Sequence, residues 1–141
     1  MKRIAIAACL LAFCGATAAI AGAIEDRQAT MKSFAPALKD GTGLKNGTIP
    51  FDAAKVKAAM KILLDGADQM AKDFPAAPKA DDKTKAAPAI WTDAAGFKAA
   101  QVAFKTDATA ASNATDQAAF AAAFTKVTAD CGACHKAYRL P

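Results

Sequence analysis

The chain has 141 residues, 54% of them hydrophobic and 22% charged, with 18 Lys and Arg against 13 Asp and Glu for a formal net charge of +5 at pH 7. That length suits one domain with a single modest core. The lysines are scattered, unlike the dense basic stripe with interleaved aromatics of a nucleic-acid binder, so no nucleic-acid partner is expected.

Residues 1–23 have the three-part pattern of a secretory signal: Lys2 and Arg3, an apolar run from Ile4 to Phe13, then small residues up to Ala23. The run is shorter than the roughly 20 residues that span a bilayer, so no permanent membrane anchor is expected. Cleavage is expected after Ala23, with a cut after Ala21 as the alternative. Cys14 raises a lipid anchor, but bulky Phe13 precedes it where such sites want a small residue. Residues 24–141 then form the one domain of 118 residues; the 18 basic residues less Lys2 and Arg3 leave 16 against 13 acidic, a net of +3. So mild a charge implies solubility and weak steering toward an acidic partner. Export implies the periplasm, where a close cysteine pair forms a disulfide unless something else claims its sulfurs. Cys131 and Cys134 are the cysteines left after cleavage.

Alanine dominates this part of the chain, β-branched residues are sparse and no stretch alternates for long, so an all-α fold is expected. A first helix is expected over residues 24–39, with Ile24, Gln28, Met31, Ala35 and Leu38 inward and an end at Gly41-Thr42-Gly43; Pro36 should kink or shorten it. Asp52 should cap a second helix with Val56, Met60, Leu63, Ala67, Met70 and Phe74 inward. Its steps alternate four and three, the seam of a helix nearly parallel or antiparallel to its neighbours. Pro75, Pro78 and Pro88 mark residues 74–88 as a long exposed crossover. Thr92 or Asp93 should cap a third helix that turns Phe97, Phe104, Ala108 and Ala111 inward, with Gly96 a weak point in its first turn. Thr115 or Asp116 should cap a fourth helix running nearly to the end, with Phe120, Phe124, Val127, Cys131, Cys134 and Tyr138 on one stripe. Both cysteines thus continue the core seam and face the interior.

Cys131, Cys134 and His135 form a C-x-x-C-H sequence. Two cysteines three apart on a helix point to nearly the same side and can each form a thioether with one vinyl group of a single porphyrin. The next histidine can reach the iron from one axial side. Covalent attachment makes that ligand effectively intramolecular, so high intrinsic affinity is not required. The motif therefore points to one covalently bound haem c near the C-terminal helix.

Three rivals fit less well. Structural zinc wants four ligands, usually as two pairs, and the chain has one histidine. A thiol-disulfide oxidoreductase places its C-x-x-C at a helix start, where the helix field lowers a thiol pKa; here the pair lies toward a helix end, where that field has the opposite sign. A structural disulfide is strained by helical i to i+3 geometry. A haem-free exported thiol or metal-binding protein remains the alternative of a different class. No enzyme is expected: there is no second histidine and no nucleophile paired with a base, hence no catalytic residue.

The sequence Cys131-Gly132-Ala133-Cys134-His135-Lys136-Ala137-Tyr138-Arg139, together with Arg27-Gln28 and Met31 near the mature N-terminus, Pro88-Ala89-Ile90-Trp91 and Phe97-Lys98, resembles the class II c-type cytochromes, the cytochrome c′ family with its low-spin relatives. The resemblance covers essentially the whole chain after the signal and implies an antiparallel four-helix bundle. It implies that Cys131 and Cys134 bond the haem, that His135 is the proximal iron ligand, and that Arg27 and Gln28 lie at the haem edge, where a guanidinium pairs with a propionate. Trp91 and Tyr138 read equally well as core residues, and Lys136 and Arg139 as cations at a helix C-terminus.

Function turns on the sixth iron position. A single histidine excludes bis-histidine ligation. Methionine ligation would give low-spin iron and an electron carrier; an open position would give a five-coordinate protein that binds NO or CO. Met31 is the candidate sixth ligand, one turn after Arg27 on the same face and at the family's distal position. Met60 and Met70 sit on the second helix's seam and read as core filler. Redox proteins of the periplasm are the expected partners, and the resemblance implies a homodimer through the first two helices, with Pro36 on that surface.

Overall fold

The computed structural model describes residues 7–75, 77 and 83–141. Four long helices, α1 (Ala7–Asn46), α2 (Ala53–Met70), α4 (Ala94–Ser112) and α5 (Gln117–Tyr138), are joined by short turns except between α2 and α4, where the one-turn α3 (Ala89–Thr92) lies. Helix α1 packs on α2 and α5, and α4 packs on the same two, while the backbones of the diagonal pairs stay apart. The result is a square, antiparallel four-helix bundle, as the seam spacing predicts. The expected cut after Ala23 falls within α1.

Three aspartates set the helix starts by accepting orphan backbone N–H groups of the first turn. Asp52 accepts from Lys55 N at 2.9 Å, Asp93 from Gly96 N at 3.1 Å and Asp116 from Ala119 N at 2.8 Å. The seams of α2, α4 and α5 follow the expected residues: Val56, Met60, Leu63 and Ala67 on α2, Phe97, Phe104, Ala108 and Ala111 on α4, and Phe120, Phe124 and Val127 on α5 are buried.

The first helix differs from expectation in both its end and its face. It runs to Asn46, and the chain turns at Gly47, whose φ of 74° is a left-handed conformation natural to glycine. Gly41 stays helical because its bare backbone receives a ring: a Cβ there would lie 2.4 Å from Phe124 Cζ. Pro36 lies inside α1, exposed, and does not end it. The buried face is Arg27, Thr30, Phe34, Ala37, Gly41 and Leu44, with steps of three and four. It lies one residue, about 100° of helix, from the expected Gln28, Met31, Ala35 and Leu38. Phe34 decides the rotation, because it has a seat: a Cβ at Gly66 of α2 would be 2.1 Å from Phe34 Cε1. Its ring also lies 5.8 Å from that of Phe104 on α4.

The bundle is closed most tightly at the end holding the α1–α2 and α4–α5 turns. Leu44, Val56, Phe120, Phe124 and Val127 are fully buried there, and the Phe120 and Phe124 rings stack at 5.3 Å.

Candidate haem-attachment site

Along α5 the cover thins toward the C-terminus. Phe120, Phe124 and Val127 are fully buried, whereas Cys131, Cys134 and Tyr138, which continue the same stripe, are half-buried, and His135 is exposed. Both cysteines are free thiols. Burial pushes both thiols above their ordinary pKa, and for Cys131 the neighbouring Asp130 carboxylate and Cys134 add to it, so both are neutral at neutral pH. Partial desolvation of the ring of this otherwise exposed residue, and then the positive charge of Arg139, hold His135 below the usual imidazole value, which favours the neutral form that binds a metal.

Around this turn the bundle supplies a row of aromatic rings. Trp91 on α3 lies 6.4 Å from Phe74, Phe74 lies 4.8 Å from Phe97 of α4, and Phe97 lies 5.1 Å from Tyr138 of α5, the last two pairs edge to face. Tyr138 donates its hydroxyl to Asp93 Oδ2 at 2.8 Å, so the carboxylate that caps α4 also anchors the end of α5. The crossover is tied to the same end: Ala86 and Arg139 form an antiparallel bridge, Ala87 N donates to the Tyr138 carbonyl at 3.0 Å and Leu140 N to the Lys85 carbonyl at 2.8 Å. The chain just after His135 is thereby pinned.

Arg27 is buried, at 7% exposure, which rules out an ordinary solvated charge. Its Nη1 donates to the Asp73 carbonyl at 2.9 Å and its guanidinium lies 5.0 Å above the centre of the Phe74 ring. The Asp73 carboxylate is also buried and accepts from Gln69 Nε2 at 2.7 Å and from Thr30 Oγ1 at 3.3 Å. This cluster fastens the end of α2 to α1 and holds Arg27 in place. Gln28, one residue off the buried face, is exposed, and Met31 is 38% exposed on α1. Met60 and Met70, at 0% and 9%, are core residues, as their spacing predicts.

Two further features had no signal in the sequence. Among the described residues, the buried Trp91 Nε1 finds no acceptor and the buried Asp130 Oδ2 no donor. An unpaired buried polar group costs about 1–3 kcal/mol. Burial first, and then the Asp107 carboxylate of α4, raise the Asp130 carboxyl above the usual carboxylate range. Each depends on contacts between distant parts of the chain, which no local motif records.

These residues fit a flat, largely apolar group with carboxylate arms. Two inward thiols three residues apart suit two vinyl groups, the Phe74–Phe97–Tyr138 row supplies apolar cover, and Arg27 with the unpartnered indole N–H supplies donors. Among the described residues no set of three or more His, Cys, Asp or Glu side chains is gathered to hold a metal ion, and no helix is long and apolar enough to cross a membrane.

Known proteins agree with this fit. The sequence model of the family described as cytochrome C′ matches residues 22–139. The chain is 38% identical over 144 residues to a cytochrome c-556 of Agrobacterium fabrum, covering 99% of this chain and 97% of that relative. It is 36% identical over 125 residues to a cytochrome c′ of Alcaligenes xylosoxydans xylosoxydans, covering 83% and 92%. Among solved structures, cytochrome c prime from Shewanella frigidimarina superposes with a TM-score of 0.76 at 29% identity, over 86% of this chain and 97% of that one. A mutant cytochrome c prime from Alcaligenes xylosoxidans, solved as its nitric oxide complex, superposes with a TM-score of 0.75 at 32% identity and the same coverage. The chain belongs to the cytochrome c′ family of class II c-type cytochromes, which carry covalently attached haem c.

Proposed function

We propose that this protein is a periplasmic electron-transfer cytochrome, exported by residues 1–23, with the domain of residues 24–141 holding one haem through thioethers to Cys131 and Cys134. His135 is its proximal ligand and Met31 its sixth. The haem supplies a one-electron iron couple when bound; the residues of the chain hold, orient and shield it. Cys131 and Cys134 fix it to α5, and the pinned segment after His135 keeps the neutral imidazole from swinging away. Arg27, held by the Asp73 carbonyl and the Phe74 ring, would pair its guanidinium with a propionate. Gln28, exposed beside Arg27, contributes at the outer edge.

The observation that carries methionine ligation is the contrast among the methionines. Met60 and Met70 are committed to the core, whereas Met31 is 38% exposed on the helix that carries Arg27, so its sulfur is free to serve. A thioether ligand raises the reduction potential, as suits an electron carrier. The second reading, a five-coordinate protein that binds NO or CO, is favoured by the relative solved with nitric oxide. On either reading the protein is a carrier rather than an enzyme, and a homodimer through α1 and α2 follows from its family.

Electron paramagnetic resonance of the ferric protein at neutral pH separates the two readings. A low-spin signal that becomes high-spin in Met31→Ala is expected; a high-spin signal in the unaltered protein contradicts methionine ligation and selects the gas-binding reading.

A further inference from the structure

We propose that Trp91 is a haem-binding residue whose indole N–H donates a hydrogen bond to a haem propionate, beside Arg27. The proposal rests on the haem seat described above and adds a ligand contact that neither the motif nor the family match assigns. Indole Nε1 is a donor with no acceptor capacity. In this protein it is buried, and among the described residues no group accepts from it. Tryptophan generally serves where an apolar body is packed and its polar tip meets a partner. Here the body is packed, with its ring 6.4 Å from that of Phe74, and the tip lacks the partner.

The partner's chemistry follows from the neighbours. Trp91 and Arg27 share the Phe74 ring as a neighbour, the guanidinium lying 5.0 Å above its centre and the indole ring 6.4 Å from it. Two donors, one cationic and one neutral, thus gather around one apolar ring, an arrangement that suits an anionic oxygen at the edge of an apolar group. The propionates are the acceptor groups of haem, and Cys131 and Cys134 tether haem to this end of the bundle. Asp130 Oδ2 on α5, also buried, is by contrast an acceptor placed beside Asp107. Phenylalanine at position 91 would fill similar space and bind no propionate.

Trp91 is the one tryptophan of the chain, so its signal needs no assignment. The experiment uses the protein matured in a host that attaches c-type haem, after denaturation has shown that haem stays bound. Ultraviolet resonance Raman of the unaltered protein should show a hydrogen-bonded indole, with slowed exchange of the indole proton in heavy water. In Trp91→Phe, visible resonance Raman should show a shifted propionate deformation band with covalent haem retained. A free indole signature in the haem-loaded protein, or an unmoved propionate band in Trp91→Phe, overturns the proposal while leaving the haem seat intact. Loss of haem from the unaltered protein on denaturation overturns both. Should Trp91→Phe fail to fold, the indole signature of the unaltered protein decides by itself.

Discussion

The two ends of the bundle are built from the same helices and the same seams, yet they are finished differently. At the turn end, Leu44, Val56, Phe120, Phe124 and Val127 leave no exposed surface, and glycine backbone makes room for rings, as Gly41 does for Phe124. At the other end, the α5 stripe passes to half-buried Cys131, Cys134 and Tyr138, and buried polar atoms stand without partners. The first end is complete as protein. The second has the composition of a seat whose packing is finished by a cofactor. A bundle divides stability and function along its length in this way, without a second domain.

The sharpest way to test that division is to damage each end separately. Phe124→Ala, in the complete end, should cost about 3–5 kcal/mol of stability, measured by denaturant unfolding, and leave the iron spectrum unchanged. A smaller loss is expected from Asp73→Ala, which strips the acceptor from Thr30 and Gln69 and slackens the hold on Arg27: about 2 kcal/mol, now accompanied by a changed haem spectrum. Should the Asp73 variant lose stability with the spectrum untouched, the cluster fastens helices only and does not serve the seat.

Asp130 gives a subtler contrast. Its folded-state carboxyl lies above the ordinary range, so the folded protein binds the proton more tightly than the unfolded chain. Stability is then greatest below the ordinary carboxylate pKa and falls as pH rises through the raised value. Asp130→Asn should match the unaltered protein in acid and exceed it at neutral pH, as thermal melts across that range would show; parallel curves contradict the assignment. The smallest effect on stability belongs to Met31→Ala, within about 0.5 kcal/mol because the side chain is largely outside the core, although its spectroscopic effect is the largest of the set.

How much of this was legible in the sequence follows the same division. The caps Asp52, Asp93 and Asp116 and the seams of α2, α4 and α5 rest on local spacing, and the helices form where that spacing points. The C-x-x-C-H turn is local too, and its inward direction follows from its place on the Phe120–Phe124 stripe. The face of α1 lies one residue from where its own sequence points, because Met31 and Leu38 look like core and Gly41 and Pro36 look like breakers when neighbours are unseen. Phe34 in the gap over Gly66 and Phe124 in the gap over Gly41 reverse both judgements. The tie between Ala86 and Arg139, the burial of Asp73 and the stranded Trp91 N–H join residues far apart in the chain. No periodicity encodes such pairs.

The central claim is that the C-terminal turn of α5 is where this protein carries its haem. Intact-mass measurement of denatured protein, matured in a host competent for c-type cytochromes, tests it most directly. A mass increment of one haem is expected, lost when Cys131 and Cys134 are both replaced by serine; an unmodified chain, or a haem that survives the double replacement, would overturn haem attachment at this turn.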